Sequence, residues 1–160
     1  MTKEQIQTYT LRVSQASACG LVVILYDIIL EDIETATAAK KQNRIEQYRE
    51  DLRHASLFVN ELINILDFSV PISKQFLSLY TYATKKLSEA LASGKTEALC
   101  DVTMIMSKLR AGFAGIEAQD TNGPMMQNAQ QVYAGLTYGG TGSLQETYVN
   151  PQDYNRGYRA

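Results

Sequence analysis

Residues 45–66 read IEQYREDLRHASLFVNELINIL, and this stretch decides the fold class. Apolar side chains recur along it at alternating intervals of three and four positions, which is the period of one face of an α-helix. The polar residues between them would form the opposite, solvated face. The stretch therefore predicts an amphipathic helix whose buried positions are Ile45, Tyr48, Leu52, Ala55, Val59, Leu62 and Leu66.

The same period appears in three further segments, each bounded by residues that start or stop helices. The first follows Ser17, a good N-cap residue, and continues to the polar cluster KKQN at 40–43. Pro71 separates the stretch quoted above from the next stripe, which covers 72–94, because proline cannot continue a helix. Thr96 is placed to cap a fourth helix.

Short connections place consecutive helices antiparallel, because a few residues leave no room for a crossover. No alternating strand pattern appears in the first 120 residues. The sequence therefore predicts an all-α protein, an antiparallel up-down four-helix bundle over residues 17–119. Residues 1–16 form an N-terminal segment that precedes it.

The composition changes at residues 120–160, a tail rich in Gly, Tyr and Gln. Positions 121–160 hold six of the ten glycines, five of the ten tyrosines and only four charged residues. Few aliphatic side chains remain there to offset the entropy of ordering the chain. We therefore predict a mostly disordered C-terminal tail.

Composition excludes several function classes. Fifteen Lys and Arg against seventeen Asp and Glu give a net charge of −2, so no long-range field favours nucleic acid. The most apolar stretch, 18–30, is interrupted by Asp27, so we expect neither membrane insertion nor a signal peptide. Cys19 and Cys100 are too few for a disulfide framework and fit a reducing cytoplasm. We expect both to be small buried side chains.

Patterns typical of catalysis or cofactor binding are missing from the sequence. The only histidine, His54, lies beside the apolar stripe, which predicts a solvated surface side chain. Asp51 and His54 form one carboxylate-x-x-histidine pair, whereas di-iron bundles need two such pairs and further carboxylates. We therefore predict a protein that is not an enzyme and has no catalytic residue, metal site or cofactor. A metal-dependent bundle enzyme is kept as an alternative.

The apolar surface is wider than one core requires. A bundle helix needs about three core-facing positions per heptad, yet nearly every position over 21–30 is apolar. Such a surplus is covered by a second subunit, by another segment of the chain, or by an amphipathic partner lying in a groove. The N-terminal segment, which carries Ile6 and Tyr9, is a candidate for the second of these roles.

The segments resemble the FliS family of flagellin-specific export chaperones. The most specific part is LYTYATKKLSEA at 79–90, which follows that family's Leu-Tyr-x-Tyr, paired basic residues, Leu and Ala pattern. The tripeptide LYD at 25–27 and the pair Ile6-x-x-Tyr9 are also similar to the family. Asp32 stands where an aromatic or aliphatic residue is usual.

The resemblance implies a cytoplasmic chaperone that binds the disordered C-terminal region of flagellin in apolar grooves. Such a protein prevents premature polymerisation and assists export, with components of the flagellar export apparatus as further partners. It also implies that the N-terminal segment acts as a self-plug, anchored by Ile6 and Tyr9. The implied partner-binding residues are Ile6, Tyr9, Tyr26, Leu79, Tyr80, Tyr82 and Leu87.

The sequence leaves two assignments open. Some of the implied binding residues must belong to the bundle core, and the sequence does not separate the two roles. A homo-oligomeric bundle, such as a homodimer with a structural or adaptor role and no flagellin client, would also cover surplus apolar surface.

Overall fold

The computed structural model describes residues 3–120 and 123–125 of the 160-residue chain. These residues contain no strand, which confirms the all-α class. They form five helices instead of the four predicted, because the N-terminal segment is itself helical. The tail lies outside the described residues apart from 120 and 123–125, so its disorder stays a prediction. The helices are α1 (Lys3–Gln15), α2 (Ala18–Lys41), α3 (Ile45–Asn64), α4 (Ser73–Ser93) and α5 (Glu97–Glu117).

Helices α2 to α5 enclose the main core. Helices α2 and α4 each pack against both α3 and α5. The connections at 42–44, 65–72 and 94–96 are short, so these consecutive helices run antiparallel. The largest fully buried side chains are Tyr26, Ile29, Tyr48, Leu52, Val59, Leu62, Tyr80, Leu87, Val102 and Met106.

The helix ends follow local capping chemistry. The Ser17 hydroxyl accepts a hydrogen bond from the backbone N–H of Gly20 at 3.2 Å, which confirms Ser17 as the N-cap of α2. Gly94 has φ +67°, a left-handed conformation that glycine adopts without strain, and its N–H donates to the carbonyl of Ala90 at 2.8 Å. Thr96 occupies the N-cap position of α5, but its side chain makes no capping hydrogen bond.

Buried tyrosines tie helices together through their hydroxyl groups. The Tyr48 hydroxyl donates to the carbonyl of Ala90 at 2.9 Å and also contacts that of Lys95 at 3.1 Å, which joins the start of α3 to the end of α4. The hydroxyls of Tyr26 and Tyr80 share a hydrogen bond across the core between α2 and α4. Burial and this hydrogen bond raise the pKa of Tyr26 far above its ordinary value.

Both cysteines are free thiols, but they are not both buried. Cys19 is half-buried and Cys100 is exposed, so the expectation of two buried side chains is wrong. Cys100 follows Leu99, which belongs to the buried face of α5 with Val102 and Met106. Position 100 lies about 100° around the helix from Leu99, outside the buried face.

Candidate partner-binding surfaces

Helix α1 covers an apolar cluster that is separate from the main core. Three side chains cover the cluster: Tyr9 and Val13 on α1, and Ala16 just after the end of α1. Tyr9 and Val13 lie four positions apart and therefore on one face of the helix. We call the covered surface on α2 and α3 the α2–α3 groove, and its members are Leu21, Ile24, Ile28 and Phe58.

Polar contacts fix α1 along α2. The Tyr9 hydroxyl donates to Glu31 Oε2 at 2.8 Å, and Gln5 Nε2 donates to the other carboxylate oxygen. Arg12 Nη2 donates to Asp27 Oδ2 at 2.6 Å. Partial burial and the hydrogen bond to Glu31 raise the pKa of Tyr9, so its hydroxyl remains a donor at neutral pH.

Asp27 links three helices. Its Oδ1 accepts a hydrogen bond from Arg110 on α5, while its Oδ2 accepts the one from Arg12 on α1. Partial burial acts to raise the pKa of Asp27, but the hydrogen bonds and charges of Arg110 and Arg12 outweigh it. The pKa of Asp27 is therefore held below its usual range.

We expect Asp27→Asn to destabilise the fold by about 1–2 kcal/mol at neutral pH, because two charge-assisted hydrogen bonds are weakened and both arginines are partly exposed. A carboxyl with a lowered folded-state pKa stabilises the protein above its unfolded-state pKa, and the contribution is lost as the pH falls through the folded-state pKa. The difference in thermal stability between the two proteins should be constant near neutral pH, begin to shrink below about pH 4, and vanish only below the lowered folded-state pKa of Asp27. A difference that stays constant down to the acid limit of folding would contradict this prediction.

A second surface feature, a cavity of about 430 Å³, opens between α2 and α3 at the N-terminal end of α1. Its wall carries four carboxylates and one guanidinium, and we call it the acidic pocket. The residues that line it are Gln5, Glu31, Asp32, Thr35, Arg44, Gln47, Glu50 and Asp51.

Two of these carboxylates are buried: Asp32 is 4% exposed and Asp51 is 5% exposed. Asp32 Oδ2 lies 2.6 Å from Nδ1 of His54. Gln47 donates to Asp51 Oδ1 at 2.7 Å, whereas Asp51 Oδ2 has no hydrogen-bond partner among the described residues. Burial raises the pKa of Asp32 against the lowering effect of His54, and the charge of Asp51 adds to the rise.

The expectation of a solvated surface histidine holds only in part: the His54 side chain is 36% exposed, but it also contacts two neighbouring side chains. His54 bonds to Asp32 on the neighbouring helix, and its ring packs edge-on against Phe58 with 4.8 Å between centroids. The position beside the apolar stripe of α3 faces α2, so the ring is held at that helix contact. In the part of the chain that the structure describes, no three His, Cys, Asp or Glu side chains are grouped to hold a metal ion.

Other apolar side chains are exposed on α4 and α5. Leu79 is 36% exposed, Tyr82 is 41% exposed and Met104 is 52% exposed; we call these three residues the α4–α5 face. The Tyr82 hydroxyl donates to Asp101 Oδ2 at 2.8 Å, which raises the pKa of Tyr82. The connection 65–72 exposes a second set, Ile65, Phe68, Val70 and Ile72.

The structure separates the implied binding residues into core and surface. Tyr26, Tyr80 and Leu87 are at most 2% exposed. These three side chains pack inside the main core and are not exposed to a partner in this structure, and their role as partner contacts stays a prediction. The other four implied binding residues have exposed surface: Tyr9 is half-buried in the α1 contact, and Ile6, Leu79 and Tyr82 are exposed. Binding by these four stays a prediction.

The anchors of α1 also differ from those expected. Ile6 is 52% exposed and takes no part in the covered cluster, so Val13 replaces it as the partner of Tyr9. Val13 was identifiable as the next position of a helical stripe four residues after Tyr9. Ile24 and Ile28 lie in a run that is apolar at nearly every position. The sequence pattern there does not distinguish residues of the groove from residues of the main core.

No helix within 3–120 or 123–125 is both long and apolar enough to cross a membrane. The model of the family described as "Flagellar protein FliS" matches residues 1–120, so it includes all five helices and ends where the tail begins. The chain belongs to the FliS family of flagellar export chaperones, which is a chaperone family and not an enzyme family. No curated protein matches the chain.

Proposed function

We propose that this chain is a cytoplasmic export chaperone that binds the disordered C-terminal region of flagellin, prevents its premature polymerisation and assists its delivery to the flagellar export apparatus. Membership of the FliS family supports the flagellar role. The α2–α3 groove is the proposed client site. The observation that carries this assignment is the position of α1, which closes an apolar cluster outside the main core.

The proposed mechanism is an exchange of one helix for another. Helix α1 has 13 residues, and an isolated helix of that length is marginal in water, so its stability depends on the groove that it covers. When α1 leaves, Ile24, Ile28 and Phe58 lose apolar cover. An amphipathic client segment that folds onto them restores the burial, which offsets the entropy of ordering the segment.

Co-expression with the flagellin of the same organism tests this function. We expect a soluble one-to-one complex by size-exclusion chromatography with light scattering. The complex should be lost when flagellin lacks its C-terminal segment and retained when flagellin lacks its N-terminal segment. Failure to form any complex, with both proteins soluble, would contradict the proposal.

The second candidate is a homo-oligomeric bundle with a structural or adaptor role. It is favoured by the four exposed apolar side chains of the 65–72 connection, because contiguous apolar surface often marks an interface. Sedimentation equilibrium separates the two candidates. A stable dimer that dissociates on Phe68→Ser substitution and binds no flagellin would support the second.

A further inference from the structure

We propose that the acidic pocket is the docking site for a basic side chain, arginine or lysine, of the client segment that occupies the α2–α3 groove. This inference rests on the proposed function and adds a charge requirement to it. The client segment should carry a cation near the apolar residues that replace those of α1.

The pocket is continuous with the groove. Asp32 lies four positions after Ile28, so both are on the same face of α2 one turn apart. On α3, His54 connects the two surfaces, because it contacts Phe58 in the groove and Asp32 in the pocket. A helix that lies in the groove therefore points one end at the carboxylates, as α1 does with Gln5.

The charges in the pocket are not balanced by the described residues that line it. Glu31, Asp32, Glu50 and Asp51 are four carboxyl groups, against the guanidinium of Arg44 and the imidazole of His54 that bonds to Asp32. Helix α1 contributes a neutral Gln5 to this wall. A ligand that brings positive charge would therefore complement the pocket.

Asp51 provides the independent sign of a missing ligand. Its side chain lines the pocket, is about nineteen-twentieths buried, and leaves Oδ2 without a hydrogen-bond partner among the described residues. A buried carboxylate oxygen without a partner is costly, whereas a charged donor makes a strong hydrogen bond to it. Guanidinium and ammonium groups supply such donors.

The cavity suits a side chain better than a metal ion. Among the described residues, no three His, Cys, Asp or Glu side chains, those of the pocket included, are arranged so that they could hold a metal ion. A bound calcium or magnesium ion requires about six oxygen ligands. A cavity of about 430 Å³ accommodates an extended basic side chain. Arginine can in addition bond to two carboxylate oxygens at once.

A double-mutant cycle in the full chain tests the pocket without flagellin. Gln5→Arg places a cation at the pocket wall, and we expect it to raise the melting temperature by about 3 °C or more. The gain should be clearly smaller in the Asp51→Asn background, because one of the four pocket carboxyl groups that the introduced cation can meet is then neutral. Gln7→Arg, an exposed position on the same helix, is the matched control and should show no coupling to Asp51.

Three results would overturn the inference. The first is a rise in melting temperature on Gln5→Arg that is the same with and without Asp51→Asn, and the same again with and without Glu50→Gln, a second pocket variant. The second is a rise in melting temperature with millimolar Mg²⁺ or Ca²⁺ that depends on Asp51, which would assign the pocket to a metal ion. The third is loss of stability on Lys3→Ala only when Asp51 is present, which would assign the pocket to the chain's own lysine.

Calorimetry with the C-terminal segment of flagellin extends the test to the client. Asp51→Asn should weaken binding by about tenfold and reduce its dependence on salt, since one charged contact is lost. Glu61→Gln, an exposed carboxyl on the same helix outside the pocket, should leave the affinity unchanged. If the wild-type chain does not bind the segment, the proposed function fails, and the double-mutant cycle still decides whether the pocket accepts a basic side chain.

Discussion

Tyr80→Ala should destabilise the fold by about 3–5 kcal/mol and lower the melting temperature by about 10–20 °C. Tyr80 is 2% exposed and contacts the main core from α4. Its removal leaves a cavity beside Phe76, whose ring stacks on it with 6.2 Å between centroids. It also removes the hydrogen-bond partner of the buried Tyr26 hydroxyl, and an unsatisfied buried hydroxyl adds to the cost.

Two neighbouring variants separate the parts of this effect. Tyr80→Phe retains the ring and removes the hydroxyl, so we expect a loss of about 1–3 kcal/mol from the unpaired Tyr26 hydroxyl. Tyr82→Ala, two positions away, removes a 41% exposed ring and should cost less than about 1 kcal/mol. Chemical denaturation of the three variants measures these differences. Similar losses for Tyr80→Ala and Tyr82→Ala would contradict the assignment of Tyr80 to the core.

The difference between these tyrosines shows why the resemblance alone did not define a binding surface. In LYTYATKKLSEA, both tyrosines match the family pattern, and sequence similarity carries no information on which face of α4 a position occupies. The period of the helix separates them, since Tyr80 shares a stripe with Ala83 and Leu87, which are buried. Tyr82 lies about 200° around the helix from Tyr80 and is exposed.

Most of the fold was predictable because each helix has a periodic stripe and a local stop signal. The prediction for α3 began at Ile45, as observed, and the predicted end of α4 at Gly94 agrees with its left-handed φ. Helix α1 was less predictable: it has few strongly apolar positions, and a 13-residue segment gains most of its stability from the surface that it covers.

The acidic pocket could not be predicted from sequence spacing. Asp32 and Asp51 lie on different helices, and only the packing of α2 against α3 brings them to one cavity with His54. In the sequence, Asp51 and His54 form a carboxylate-x-x-histidine pair on one helix. In the structure His54 bonds to Asp32 instead, which is the residue that departs from the family pattern.

The most direct consequence of the proposed exchange is that loosening α1 strengthens client binding. The double substitution Tyr9→Ala with Val13→Ala removes the two side chains through which α1 covers the groove. Each is half-buried, so together they stabilise the covered state by about 1.5–3 kcal/mol. If the client binds only the uncovered groove, its apparent affinity should rise by about 10- to 100-fold. Calorimetry with the C-terminal segment of flagellin measures this change.

The matched control is Ile6→Ala with Leu11→Ala, which removes two side chains of α1 that are exposed by 52% and 37%. Because neither belongs to the covered cluster, the affinity of this variant should equal that of the wild-type chain. Deletion of residues 1–16 should tighten binding at least as much as the Tyr9 and Val13 double variant does. Unchanged or weaker affinity in both the double variant and the deletion would show that α1 does not compete with the client, and the client site would then have to be sought on the α4–α5 face.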